Sequence, residues 1–440
     1  MKDKNTDYMF DRAAETMPRG QLLELQLERL RESYANAYQN VAQHRGRLDE
    51  IGFKPGDLKR LDDLADLPFT VKNDLRDNYP FGMFARPRQE LLRLHASSGT
   101  TGKPTVVGYT AGDLERWAEL MARSLACAGA RPGDIIHNAY GYGLFTGGLG
   151  AHDGATRLGA TVVPMSGGNT EKQIVLLRDF GARVICCTPS YALAIAELAD
   201  KEGIDLRNGP LAIGVFGAEP WTEAMRREIE QRLGLRATDI YGLSEIMGPG
   251  VACECEQGQA GPHGWEDHFL FEVIDPETER PVTDGSAGEL VITTLTKEAL
   301  PMLRYRTRDI TRLATEKCVC GRTHARLQRI TGRTDDMLII RGVNLYPSQV
   351  EAALLGIPEL EPHYQLVVDR INHLDELTIE VEARASVAFT PETFAAIGER
   401  VRHHVKSMIG VTAKVKMMTA GTVPRSMGKA VRVRDQRPKD

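Results

Sequence analysis

Nine consecutive residues, Ser97-Ser98-Gly99-Thr100-Thr101-Gly102-Lys103-Pro104-Thr105, set small and hydroxylated side chains around a single lysine. That composition suits an anion: glycines let backbone N–H groups come close, Ser and Thr hydroxyls add donors, and Lys103 brings a mobile positive charge. The stretch points to phosphate handling and a nucleotide-using enzyme. It is not a Walker A loop, because that motif follows Gly-Lys with a Ser or Thr that reaches magnesium, and here Pro104 follows. A second group could hold a metal. Cys318-Val319-Cys320-Gly321 places two thiols on one turn, while Cys253-Glu254-Cys255 and His263 lie elsewhere in the chain. Four such donors would complete a closed tetrahedral zinc site, with Cys253 and His324 as competing ligands; the alternative is a set of reduced free thiols.

The elements that must position these residues alternate. From about residue 110 to 300, helical stretches such as Asp113 to Ala128 and Thr222 to Leu233 separate apolar runs at 160–163, 184–187 and 211–216. Strands buried on both faces with helical crossovers predict α/β structure built on largely parallel sheet. Ligands of such sheets bind beyond the carboxyl ends of the strands. Two of those ends carry distinctive residues: Phe216 runs into Gly217-Ala218-Glu219-Pro220, and Ile240 into Tyr241-Gly242-Leu243-Ser244-Glu245. Tyr140, Tyr142 and Phe145, interleaved with Gly141 and Gly143, suit either a flat ring or a packed strand–helix corner.

Near the N-terminus, Leu23, Leu27, Leu30, Tyr34, Tyr38 and Val41 predict the core face of a long helix. After Gly332-Arg333-Thr334-Asp335-Asp336 the texture changes to strands at 365–368 and 377–381, a helix over 391–407 and a strand over 413–417. The prediction is a large N-terminal domain, 1–334, and a small α+β domain, 335–440, meeting near Asp335.

A net charge of -5, with both signs interspersed over 440 residues, gives no basic face for nucleic acid and no polybasic run for a membrane surface. The polar N-terminus and the absence of any 18-residue apolar stretch predict a cytoplasmic chain. Seven cysteines in such a chain argue against a disulfide framework, and Cys127, Cys186 and Cys187 read as small core residues.

Taken in order, SSGTTGKPT, FGAEP, YGLSE, YRTRD (305–309), GRTDD with IIRG (332–342) and PRSMGKAVRVRD (424–435) resemble the adenylate-forming acyl-CoA synthetases, and most narrowly the branch that activates phenylacetate. The likeness runs from Pro68-Phe69-Thr70-Val71-Lys72 to Lys429. It implies mostly parallel sheets flanked by helices in the large domain and a mobile small domain that hinges at Asp335. A carboxylate would attack the α-phosphorus of ATP, releasing pyrophosphate, and a thiol, that of coenzyme A, would then displace AMP. An acceptor thiol on a carrier protein, an amine acceptor, or a nucleotide-binding regulator without catalysis are the alternatives.

On this resemblance Ser97 to Lys103 hold the pyrophosphate, Glu245 holds Mg2+, and Lys429 bridges carboxylate and α-phosphate. Tyr241 stacks on adenine beside Gly217, Ala218, Glu219 and Pro220. Asp309 binds the ribose, and Gly242, Ser244 and Arg333 complete the nucleotide set. Tyr140, Tyr142 and Phe145 line the acyl pocket. Lys72 matches a lysine near the terminal phosphates, although a lone lysine reads equally as solvated. Relatives with a comparable cysteine pattern select Cys255, His263, Cys318 and Cys320 as a structural Zn2+ set, and the family likeness suggests a homodimer.

Overall fold

The computed structural model describes residues 7–97, 104–282, 285–340, 343–371, 374–388, 390–425 and 431–437. Ser98, Gly99, Thr100, Thr101, Gly102, Lys103 and Lys429 of the predicted site lie outside the described residues. Among the described residues, a nine-stranded sheet dominates the large domain. Thr161–Val163, Ile135–Asn138, Val184–Cys187, Ile213–Gly217 and Arg236–Leu243 pair in parallel in that order. Val184–Cys187 and Ile213–Gly217 are buried along their whole length, as a sheet covered on both faces requires. Helices Pro189–Lys201 and Glu223–Leu233 start where the Thr188 and Thr222 hydroxyls accept from the amides of Tyr191 and Met225. Trp117, Met121, Ile136 and Ile240 belong to the core that packs one side, Tyr191, Ile195, Phe216 and Ile229 to a second.

Beyond Arg236–Leu243 the sheet turns antiparallel through Gly248–Cys253, His263–Gly264, Arg326–Leu327 and Leu313–Ala314. The connection from Ser244 to Met247 is too short for a helical crossover, so the chain can only fold back. A second, four-stranded antiparallel sheet comprises Phe269–Ile274, Gly288–Thr294, Tyr305–Thr311 and Gly332–Arg333.

The N-terminal helix, Arg19–Asn40, differs from the sequence expectation. It turns Leu22, Gln26, Leu30, Ser33, Tyr34 and Ala37 inward, while Leu23 is 38% exposed and Leu27 and Tyr38 are only partly buried. Gln26 donates to the Glu266 carbonyl at 2.9 Å and the Ser33 hydroxyl to the Thr294 carbonyl at 2.7 Å. Polar positions that an apolar-stripe rule skips are drawn inward by these buried acceptors, which rotates the face.

At the C-terminal end a separate sheet runs Lys414–Met418, Leu374–Ala383, Leu360–Ile371, Val433–Asp435, packed with helices Pro347–Leu355 and Pro391–Ile409 around Leu366, Val368, Ile379, Val401 and Val405. No helix among the described residues is long and apolar enough to cross a membrane.

Candidate active site and metal centre

Parallel pairing brings together motifs that are distant in sequence. Gly217 stands opposite Ile240, so FGAEP and YGLSE leave the sheet side by side at its carboxyl edge. Gly217 leaves no room for a side chain, since a Cβ there would lie 2.2 Å from the Ile240 carbonyl oxygen. Ala218 follows at φ 71°, a conformation costly for any residue with a Cβ. The turn delivers Glu219 to the first turn of Pro189–Lys201, where its Oε1 accepts from the Ser190 amide at 2.7 Å. Pro220 is exposed.

YRTRD enters from the second sheet. The Tyr241 hydroxyl donates to Asp309 Oδ2 at 2.6 Å. Arg333, the register partner of Asp309, donates to Asp309 Oδ1 at 2.8 Å and to both carboxylate oxygens of Asp335 at 2.9 and 3.0 Å. The ribose candidate and the hinge candidate therefore share one guanidinium. Burial pushes the Asp309 carboxyl up despite that guanidinium. Burial, with Asp309 beside it, raises the Tyr241 phenol far above its ordinary range and keeps the hydroxyl a donor. A carboxylate accepts about four hydrogen bonds, so Asp309 retains capacity for a vicinal diol.

Glu245 is 5% exposed. Its Oε1 lies 3.4 Å from Lys72 Nζ, which gives Lys72 a partner that the sequence did not reveal. Lys297 is a residue that sequence reasoning missed. It is 2% exposed, donates to the Glu245 carbonyl at 3.3 Å and sits 4.8 Å over the Tyr109 ring. Burial lowers its ammonium to about 8 against the pull of Asp113 and Glu245. Its only sequence signal was a lysine embedded in a Thr- and Leu-rich run. Ser244 Oγ shares a 2.9 Å hydrogen bond with Thr146 Oγ1, and Gly242 lies between Tyr241 and this turn, opposite Pro249.

Ser97 forms the base of the hydroxyl-rich loop. Its amide donates to the Thr105 carbonyl at 3.0 Å, and the Thr105 amide donates back to Ser97 Oγ at 3.2 Å, so the loop ends are clamped together. The three candidate pocket rings occupy different environments. Tyr140 is buried with its hydroxyl donating to the Val215 carbonyl at 3.1 Å. Tyr142 accepts from Asn138 Nδ2 at 2.7 Å and meets His152 Nδ1 at 3.2 Å. Phe145 is 48% exposed.

Cys255, His263, Cys318 and Cys320 converge, their donor atoms all within 4.8 Å of one another. Cys255 Sγ lies 3.6 Å from Cys318 Sγ, and Cys320 Sγ lies 3.4 Å from His263 Nε2. His263 Nδ1 is 3.1 Å from the His324 carbonyl, which fixes the tautomer that leaves Nε2 free as a donor atom toward the thiols. Gly258 lines the cradle: a Cβ there would lie 3.1 Å from Cys255 Sγ and 3.2 Å from Cys318 Sγ. The Cys255 hydrogen bond outweighs burial and, with His263, holds the Cys320 thiol far below its usual range. The competing donors stand outside the cluster. The His324 ring meets the Ala14 carbonyl at 2.9 Å and the Glu266 amide at 3.0 Å, and Cys253 is buried outside the cluster.

Residues 79–296 match the AMP-binding enzyme family and residues 342–437 the AMP-binding enzyme C-terminal domain. The chain is 54% identical to phenylacetate-coenzyme A ligase of Thermus thermophilus, over 96% of this chain and 98% of that protein. It is 56% identical to the ligase of the same name from Aromatoleum evansii, over 96% of each. Solved structures of 2-hydroxyisobutyryl-CoA ligase share 31 to 32% identity and cover 99% of this chain and 95% of theirs. The TM-score is 0.92 for the postadenylation state with its acyl-adenylate and 0.73 for the thioesterification state. The chain is an AMP-forming acid–thiol ligase and belongs to the phenylacetate-CoA ligase family of adenylate-forming enzymes.

Proposed function

We propose that the acid is phenylacetate or a closely similar aryl acetate, and that the acceptor is the thiol of coenzyme A. The observation that carries the nucleotide side of this reading is the junction of Tyr241, Asp309 and Arg333, at the strand edge where such sheets bind nucleotides. Names shared by relatives more than half identical over nearly the whole chain support the choice of acid. In the first step a carboxylate oxygen attacks the α-phosphorus of ATP and pyrophosphate leaves. In the second the thiol sulfur attacks the acyl carbon, AMP leaves, and the thiol proton passes to solvent. Both partners of the first step are anions, so preorganised positive charge lowers its barrier most.

The match to the adenylate-forming family supports each role. Ser97 to Lys103 bind the departing pyrophosphate, and Asp309 accepts from the ribose hydroxyls. Gly217 to Pro220, Tyr241, Gly242 and Ser244 border the base, and Arg333 orients Asp309. Lys429 bridges the two reacting anions. Tyr140, Tyr142 and Phe145 border the acid. Glu245 would hold magnesium, which neutralises phosphate charge when bound; one buried carboxylate plus substrate oxygens suits that ion. Cys255, His263, Cys318 and Cys320 would hold zinc in a structural role, tying the turn at Cys318 to the strand at His263. Residues 1–334 act as the adenylation domain and 335–440 as a mobile domain hinged near Asp335. The unequal fit to two states of one relative supports that motion. A homodimer working in the cytoplasm completes the reading.

Acid-dependent release of AMP and pyrophosphate, measured with and without coenzyme A across a panel of aryl acids, tests it. Phenylacetate should be used best, with benzoate slower by about 10- to 100-fold, the worth of one methylene in an apolar pocket. Absence of AMP formation with every acid would refute the reading.

A further inference from the structure

The two domains meet through a carboxylate that no step of the reaction uses. Glu197, on helix Pro189–Lys201 of the large domain, accepts two hydrogen bonds from Arg425 of the C-terminal domain, at 2.9 Å from Nε and 2.7 Å from a terminal nitrogen. The Nε2 of His363, buried on strand Leu360–Ile371, lies 3.3 Å from Oε2, the oxygen that accepts from Arg425 Nε. Arg425 is itself held from behind. Glu382, fully buried, accepts from it at 2.9 and 2.8 Å and also accepts from the amides of Gly421 and Val423. The guanidinium is thus rigid within its own domain and presents one bidentate face across the interface, the geometry in which an ion pair carries both energy and direction.

Burial raises the Glu197 carboxyl, but His363 and Arg425 beside it outweigh burial and bring the group down to about 2. The carboxylate is charged and paired throughout the physiological range. An exposed pair would be worth little, but Glu197 and Arg425 are only 31% and 23% exposed, and a partly desolvated bidentate pair resists separation more strongly.

This pair belongs to the arrangement of the domains described above. The arrangement is the one that fits a postadenylation state at a TM-score of 0.92, and any rotation toward the thioesterification arrangement, which fits at 0.73, moves the C-terminal domain against the large one. From this we infer that Glu197 is a positioning residue: its ion pair with Arg425, braced by His363, latches the C-terminal domain in the orientation used for adenylation and must break before thioester formation. The inference rests on the two-step reading proposed above.

The test is Glu197→Gln, which keeps the side-chain shape and removes its charge on a partly exposed helix face, so the fold is preserved. Wild type and variant are compared in two half-reactions: acid-dependent exchange of pyrophosphate into ATP, and thioester formation from supplied phenylacetyl-adenylate and coenzyme A. The expected result is a fall of about 3- to 10-fold in exchange, with thioester formation unchanged or faster and the melting temperature unmoved. Raising the ionic strength should shift wild type in the same direction and the variant less, because the Arg232–Glu361 and Arg384–Glu228 pairs across the same boundary remain in it. An equal fall in both half-reactions would reduce Glu197 to a structural contact and overturn the latch, as would no change in either while wild type exchanges normally. Failure of wild type itself to exchange pyrophosphate with any aryl acid would overturn the two-step reading, and the latch with it.

Discussion

Tyr241 and Asp309, 68 residues apart in sequence and on different sheets, are joined by a 2.6 Å hydrogen bond. The bond ties the carboxyl edge of the main sheet to the strand that leads through Arg333 to Asp335. It also orients the carboxylate assigned to the ribose.

Tyr241→Phe removes that donor and leaves the ring. We expect KM for ATP to rise by about 5- to 20-fold, from the loss of a hydrogen bond to a charged group worth roughly 1.5 kcal/mol, with kcat changed far less. Asp309→Asn should raise KM more, because the amide can no longer accept on both sides. Steady-state kinetics with ATP varied at saturating acid and coenzyme A would check both; a loss confined to kcat would remove the ribose role from Asp309.

Lys297 predicts a different signature. It is buried and donates to the backbone of Glu245 rather than to its side chain. Lys297→Gln should therefore weaken the response to magnesium, raising the concentration needed for half-maximal rate, while KM for the acid stays constant. A magnesium titration reads this, and an unchanged half-maximal concentration would show that Lys297 only fills space.

The four-donor cluster makes a quantitative claim. The purified protein should carry close to one zinc per chain. Cys320→Ser should lose it and lower the melting temperature of the large domain by several degrees, while the rate of adenylate formation per folded molecule stays within about twofold. Less than about half an equivalent of zinc in wild type, with unchanged stability after chelation, would contradict the site.

Acid sensitivity follows from two buried histidines. Burial is the chief cause that brings His44 and His268 down to about 4, below the ordinary value of about 6.5 in an unfolded chain. The unfolded chain therefore takes up protons between about pH 6.5 and 4 that the folded chain refuses. Their contribution to stability is fully present above about pH 6.5 and is lost as pH falls toward 4, on the order of 1 to 3 kcal/mol for each. Urea unfolding midpoints between pH 7 and 4.5 should fall accordingly. His44→Gln, which keeps a donor for the Pro301 carbonyl contacted at 3.2 Å, should flatten that fall.

Much of this was legible in the sequence, and what was not has physical causes. The apolar runs at 184–187 and 211–216 announced parallel strands because both of their faces are covered, so no polar alternation confuses the pattern. The antiparallel return after Leu243 was hidden, since it depends on the length of a turn rather than on composition. The four metal-type donors converge because strand His263–Gly264 pairs with Arg326–Leu327 a few residues past the Cys318 turn, a contact that no local spacing encodes. The inward face of the first long helix departs from its apolar stripe for the same reason: Gln26 is buried by a carbonyl that arrives from residue 266. Lys297 and Glu197 look like ordinary surface charges in sequence, and each acquires meaning only through a partner more than 50 residues away.

The proposed chemistry turns on attack of a carboxylate oxygen of the acid on the α-phosphorus of ATP. Phenylacetate labelled with oxygen-18 at both carboxylate positions, turned over with ATP and coenzyme A and followed by mass spectrometry of the nucleotide, tests it directly. Attack by the acid predicts AMP carrying one labelled oxygen and unlabelled pyrophosphate. AMP without label, or label recovered in inorganic phosphate, would contradict it.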